Sequence, residues 1–355
     1  MRYVSANSLE VGMVLGRTLY RKYEVMLTQG VVLNQQYINS IRRCGFAGVY
    51  IQDDLSADIE ITPLVSDELL RETAKRLERL RDIAKFDDGS GRSNLPDITD
   101  QVENIVTELC KNKDVMVNMM DLSSYDSYTY AHSLNVTMLS VLVGVSLGFP
   151  HADLVGLGTG ALLHDIGKIH ISKRILLKNG PLTDEEFDVV KKHPQDGFDY
   201  ICKRFHLSTK YLHTILDHHE KFDGTGYPNG KKRDEISLFG RICAVADVYD
   251  AISSKRPYRD PLPVHECVEY IMAGSSTLFD PDVVNAFIRR IAPYPLGTSV
   301  VLSNGWTGLV IANYSEYSLR PKLRIYKKDG EPVPTFEISL KDEPKYLNVT
   351  VVGVS

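Results

Sequence analysis

Five short segments carry side chains able to hold or move charge, and all of them lie in the middle of the chain: His132 in YTYAHS, His164-Asp165 in HDIGK, His193 in KHP, His218-His219 in DHHEKFDGTGYP, and Asp247 in AVADVYDA. Each offers imidazole or carboxylate and none offers thiolate. Mixed nitrogen and oxygen donors of this kind suit divalent first-row metals such as iron, manganese or zinc. All ten histidines fall between His132 and His265, so the search for chemistry begins there.

Taken singly, these residues are weak signals. One histidine on an apolar stripe is ordinarily a core residue with a hydrogen-bond partner, and a histidine before proline says little. A carboxylate beside an imidazole, as in His164-Asp165, is costly to bury without a cation. Asp247 inside an otherwise apolar helix reads the same way. Five such segments together point to a metal centre.

Helix geometry decides whether they can meet. His132 continues the stripe of Val136, Leu139 and Val143 and so lies on a buried face. Val155, Leu162 and Leu163 mark an apolar helix ending near Gly167, which puts His164 and Asp165 at a buried helix end. Adjacent His218 and His219 are about 100° apart on a helix and fit best at a terminus, which the glycine-rich stretch 224–228 supplies.

The surrounding elements divide the chain into four parts. Residues 1–63 read as a small mixed α/β domain, with strands at 13–15, 31–33 and 48–52 and a helix capped by Asn34 running through Arg43. Residues 64–97 read as a linker: a charged amphipathic helix over 64–86 with Leu69, Leu70, Ala74, Leu77 and Leu80 on one stripe, then a polar break. Residues 98–292 are helical by periodicity, over 100–118, 129–147, 152–166, 184–204, 208–219 and 238–254. Residues 293–355 form a β-rich appendage with strands at 299–302, 309–312, 322–326 and 347–354 and a hairpin turn at Asp329-Gly330. An appendage this small needs packing against the helical body. The fold class is therefore mainly α, with small flanking domains.

Composition narrows the function. The 355 residues include 41 Lys or Arg against 46 Asp or Glu, a net charge of −5, which argues against duplex nucleic acid as a partner. Five scattered cysteines without a CxxC pair fit a reducing compartment. The N-terminus has no signal-peptide layout, and the most apolar stretch, 136–149, is too short to span a membrane. A cytoplasmic protein that makes no use of a membrane is expected, and the stripe on the 64–86 helix, or the N-terminal region, suggests a homodimer.

HDIGK at 164–168, HHE at 218–220, GYP at 226–228 and RPYR at 256–259 resemble an HD-GYP domain, a branch of the HD metal-dependent phosphohydrolases, over roughly residues 100–290. The resemblance implies an all-helical domain that hydrolyses cyclic di-GMP to pGpG and in some cases on to GMP, with iron or manganese. It implies that His132, His164, Asp165 and Asp247 hold one metal, that His193, His218 and His219 hold a second, and that Asp165 bridges them. Relatives with a third metal carry a glutamate one turn before the first histidine. That position is Tyr128 here, and Asp126 is two residues off the turn, so two metals are expected. A hydroxide made at such a centre would attack phosphorus in line with the departing 3′-oxygen. The resemblance gives catalytic roles to Asp165 and Lys168, with Lys168 meeting a phosphate. Arg256 and Arg259 would hold the other phosphate, Tyr227 would line the guanine pocket, and Asp250 completes this substrate-side group while orienting a ligand. Another cyclic dinucleotide such as cyclic GMP–AMP, a nucleotide monophosphate, or cyclic di-GMP binding without turnover are the competing readings.

Overall fold

The computed structural model describes residues 1–21, 24–86, 96–111, 116, 128–178, 180–254 and 262–354. Near the N-terminus, strands β1 (Arg2–Ser5), β2 (Val14–Leu15) and β5 (Gly48–Gln52) make an antiparallel sheet in the order β1-β5-β2, and β3 (Leu19–Arg21) and β4 (Glu24–Leu27) form a separate hairpin. Helix α1 (Gln35–Arg43) begins at Asn34, whose side chain accepts the Tyr37 N–H at 2.9 Å. That oxygen satisfies one of the donors a helix start leaves over. Leu15, Leu33, Ile38, Ile41 and Ile51 close the core of this unit. The expected strand at 31–33 is reduced to a bridge between Val14 and Val32.

Helix α2 (Asp67–Lys85) differs from its reading as a linker. Leu70, Ala74, Leu77 and Leu80 are buried in the core of the helical body together with Val102, Ile105 and Leu109 of α3 (Pro96–Lys111). A charged helix with one apolar stripe must cover that stripe, and here the same chain covers it. The stripe that suggested a dimer is therefore used internally, which removes that argument for self-association.

The body continues with α4 (Tyr128–Ser146), α5 (His151–Leu162), the short α6 (Lys173–Leu176), α7 (Asp184–Val190), α8 (His193–Arg204), α9 (Thr209–Asp217), α10 (Leu238–Ser253), α11 (Val264–Ala273) and α12 (Pro281–Ile288). The run expected over 184–204 is broken between α7 and α8, where Pro194 occupies the first turn of the new helix. Helices α4 and α10 are buried on nearly every side and pack on each other. Helix α5 lies against α9 at close range: a Cβ at Gly160 would come within 2.7 Å of the Tyr211 carbonyl. This approach sets the ends of α5 and α9 side by side.

The C-terminal sheet contains β6 (Ser299–Leu302), β7 (Trp306–Ala312), β8 (Lys322–Lys328), β9 (Glu331–Ser339) and β10 (Val351–Val354), antiparallel in the order β10-β6-β7-β8-β9. Asp329 and Gly330 turn between β8 and β9 with φ of 50° and 86°, as a two-residue hairpin with both residues left-handed requires. Strand β9 escapes sequence reasoning because Pro332 and Pro334 argue against a strand; its edge position tolerates them. The sheet's partner is chiefly the N-terminal unit. Leu309 packs with Tyr50, Ile59 and Ile61, the Tyr3 N–H donates to the Gly297 carbonyl at 2.9 Å, and Arg324 grips Asp58 at 2.6 and 2.7 Å. Among the described residues, no helix is long and apolar enough to cross a membrane.

Candidate metal centre

The ends of three helices deliver four imidazoles. His164 follows α5, His193 follows α7 and opens α8, and His218 and His219 follow α9. His132 comes from α4 and Asp247 from α10. Gly167 presses the HDIGK turn against the start of α8, where an added Cβ would lie 2.1 Å from the His193 carbonyl oxygen. Only a hydrogen fits there, and the contact locks Asp165 beside His193.

A common device orients the rings. The Nδ1 atoms of His164, His193 and His218 each lie 2.7 Å from the carbonyl three residues earlier, those of Ala161, Val190 and Ile215. A carbonyl can only accept, so each Nδ1 carries the proton and each Nε2 presents a lone pair to the centre. His132 is held by a carboxylate instead, with Nδ1 2.7 Å from Asp250 Oδ2, while the other Asp250 oxygen accepts from Asn135 at 2.7 Å.

Seven side chains thereby fall into two groups, Asp165, His193, His218 and His219 in one, and His132, His164 and Asp247 in the other, with the ligand atoms of each group within 4.8 Å of one another. Asp165 faces both. Its Oδ1 lies 3.3 Å from His193 Nε2 and 3.9 Å from His218 Nε2, and its Oδ2 lies 3.5 Å from His164 Nε2 and 3.9 Å from His132 Nε2. His132 Nε2 stands 3.2 Å from Asp247 Oδ1.

This donor set fits divalent cations. His193 Nε2 and His218 Nε2 face each other at 3.2 Å, and with their protons on Nδ1 this sets two lone pairs head to head. Buried His164 Nε2 and Asp165 Oδ1 have no hydrogen-bond partner. Such an arrangement is unfavourable unless a positive charge sits among the donors. Titration favours ligation too. Burial lowers the pKa of His164, drives that of His218 far down, and brings that of His219 to about 3, so these rings stay neutral. Burial acts to raise the Asp165 and Asp247 carboxyls, but Lys168 and the imidazoles around Asp165, and His132 beside Asp247, outweigh it and hold both well below the usual range. His132 differs: burial opposes a charge on it, yet its hydrogen bonds to Asp247 and Asp250 prevail and raise its pKa to about 10, so this ring holds a proton on Nε2 that a bound cation would have to displace.

The remaining expected residues divide. Lys168 Nζ pairs with Asp165 Oδ2 at 2.6 Å and is partly exposed, at the rim of the centre. The Tyr227 ring lies 4.7 Å from that of His219. Asp250, grouped with the substrate-side residues, is 0% exposed with both oxygens engaged, so it has no surface to offer a substrate and serves as the orienting partner of His132. Arg256, Arg259 and Asp126 lie outside the described residues, as does the side chain of Tyr128.

Sequence reasoning missed the part of Asp217 in a bracket around the His218-His219 pair. Buried Asp217 accepts from Lys231 Nζ at 2.7 Å and from the Ser237 N–H at 3.0 Å. Glu220, 3% exposed, accepts the N–H groups of Asn229 at 2.7 Å and Lys231 at 3.1 Å. The loop bearing Tyr227 is thus tied back onto the histidine pair. Carboxylates on both sides of two histidines were the available signal.

A family described as "HD domain" matches residues 114–283. A cyclic di-GMP phosphodiesterase of Pseudomonas aeruginosa is 36% identical over 236 residues, covering 66% of this chain and 57% of that protein. One of Thermotoga maritima is 43% identical over 171 residues, covering 47% and 46%. A 3′3′-cGAMP-specific phosphodiesterase of Vibrio cholerae is 37% identical over 168 residues, covering 47% and 36%. The chain therefore spans about half the length of the curated relatives it matches. An HDG"Y"P protein of Bdellovibrio bacteriovorus shares the fold, with a TM-score of 0.51 at 17% identity over 80% of this chain and 97% of that one.

Proposed function

We propose that the chain is an HD-domain protein of the HD-GYP kind and a cyclic di-GMP phosphodiesterase releasing pGpG, with two divalent ions, iron or manganese, as cofactors. The supporting observation is the position of Asp165, one oxygen toward each of two groups of bare imidazole nitrogens. His132, His164 and Asp247 would hold one ion, His193, His218 and His219 the other, and Asp165 would serve both. Bound there, the ions would lower the pKa of a water and neutralise charge gathering on the phosphoryl oxygens.

The chain's own groups do the rest. Carbonyls of the last helical turns keep the histidine protons on Nδ1, and Asp250 does the same for His132. Lys168 sets an ammonium at the rim, where it can meet the scissile phosphate. Tyr227 shields His219 and offers a ring edge to a base, and Arg256 and Arg259 supply guanidinium forks for the second phosphate. The catalytic unit is assigned to 98–292, and a cytoplasmic location accords with this substrate.

The test is turnover of cyclic di-GMP by protein loaded with iron or manganese under reducing conditions. The expected product is pGpG, and Asp165→Ala is expected to lose both metal and turnover; full activity in that variant refutes the assignment. A relative specific for 3′3′-cGAMP favours a second reading, in which that nucleotide is the substrate. A higher kcat/KM for 3′3′-cGAMP than for cyclic di-GMP would establish it.

A further inference from the structure

Outside the seven-residue centre, an unexplained aromatic surface leads away from it. The His219 ring contacts Tyr227 at 4.7 Å, and Tyr227 in turn meets Phe187 edge to face, with centroids 6.0 Å apart and planes at 83°. Phe187 lies on α7 and is 43% exposed, with exposed Leu176, Leu177 and Val189 on the same short segment of chain. The Lys191 ammonium lies 4.9 Å from the Phe187 ring centre, and Lys191 also pairs with Asp188 at 2.6 Å.

This surface is held in place. Thr183 and Glu186 form a reciprocal cap at the start of α7, and Lys178 pairs with Glu186 at 2.5 Å. Both contacts fix the turn from which Phe187 projects. An apolar ring kept in water beside a centre built for cations, and through them for a phosphate, has no electrostatic use there. A nucleotide, however, brings a flat base along with its phosphate, and a base is bound by stacking on an aromatic face.

We propose that Phe187 is a substrate-binding residue, its ring face the platform and the perpendicular Tyr227 ring the wall for one purine base of the dinucleotide whose phosphate is cleaved at the adjacent centre. The inference rests on the phosphodiesterase reading and adds to it the residue that converts a general diester site into one selective for a nucleotide. Lys191, over the ring, sets a donor beside the same platform.

The test compares metal-loaded wild-type protein with Phe187→Ala and Phe187→Trp on two substrates, cyclic di-GMP and its abasic analogue, a cyclic diribose bisphosphate with the same diesters and no ring to stack. Loss of a stacking face is expected to lower kcat/KM for cyclic di-GMP by about 10-fold or more, mainly through KM. Phe187→Trp is expected to stay near wild type, and all three proteins are expected to cleave the base-free diester alike. An unchanged kcat/KM for cyclic di-GMP in Phe187→Ala overturns the proposal, and so does an equal loss on both substrates. Wild-type protein that cleaves the base-free diester but not cyclic di-GMP overturns instead the substrate reading beneath it.

Discussion

Asp250 touches no exposed surface, yet replacing it by asparagine is expected to weaken metal binding. One carboxylate oxygen takes the proton of His132 Nδ1 and the other takes a proton from Asn135, both at 2.7 Å. An amide of the same shape has one accepting oxygen. It can satisfy His132 or Asn135 but not both, and its nitrogen then confronts the remaining donor. Leaving one buried donor unmet costs about 1–3 kcal/mol of folding stability. A second consequence of similar size is for His132, which loses the carboxylate that fixes its tautomer and raises its basicity. Losing such a partner typically costs 10- to 100-fold in metal affinity, or about 1.4–2.8 kcal/mol. Competition with a chelator, with metal counted by elemental analysis and folding followed by thermal unfolding, separates the two effects. A folded Asp250→Asn protein that binds metal as tightly as wild type would refute the assignment of Asp250 as the orienting group.

Four other perturbations probe the surrounding structure. Glu220→Ala removes the acceptor for the Asn229 and Lys231 N–H groups, so hydrogen exchange at those two amides is expected to accelerate by about 10-fold or more while the bound metal count holds. Gly167→Ala drives a methyl group into the His193 carbonyl, and overpacking of this kind costs about 1–3 kcal/mol; elemental analysis should find metal lost along with stability. Leu77→Ala empties a position 2% exposed between α2 and the body, with an expected loss of about 2–5 kcal/mol in urea unfolding; a loss near zero would return α2 to the status of a linker. Hydrogen bonding to Arg324 lowers the Asp58 pKa from 3.8 to about 2, so the folded form binds fewer protons than the unfolded one across that interval. Its stabilisation is present above pH 3.8 and fades as pH falls through about 2, and wild type and Asp58→Asn should converge in unfolding midpoint on acidification. Because Asp58 is largely exposed, the difference is also expected to shrink in salt.

What the sequence revealed depended on the reach of each signal. The seven centre residues were legible because type and helical phase act locally: His132 lay on a buried stripe, and His164 and His218 stood where apolar helices ran out. Their division into two groups was legible only through the family resemblance, since it depends on how closely α5, α8 and α9 approach, and Gly160 and Gly167 set that distance. The part of Asp217 in the bracket was hidden for a related reason, as one of its partners is a backbone N–H group, which every residue but proline possesses. Helix α2 was misread because an apolar stripe has the same appearance whether another chain or the same one covers it. The joint between the N-terminal unit and the C-terminal sheet depends on Arg324 meeting Asp58, two charges 266 residues apart with nothing local to link them.

The helix ends do more than place the ligands. The last carbonyls of an α-helix have no partner within the helix, and together they carry a partial negative charge near half a unit. Here Ala161, Val190 and Ile215 each stand in the last turn of α5, α7 and α9, and each is capped by the imidazole Nδ1–H of the histidine three residues on. One hydrogen bond therefore ends the helix, fixes the tautomer and turns Nε2 toward the centre. Because three helices end there, their negative poles converge on the same small volume as Asp165 and Asp247, each favouring a cation nearby by about 0.3–1 kcal/mol, against the one positive pole of α8, which opens at His193. That contribution depends on charge and not on the identity of the ion. Selection among divalent ions must then come from the imidazole and carboxylate donors themselves, whereas the preference for some divalent cation is already present in the way the helices stop.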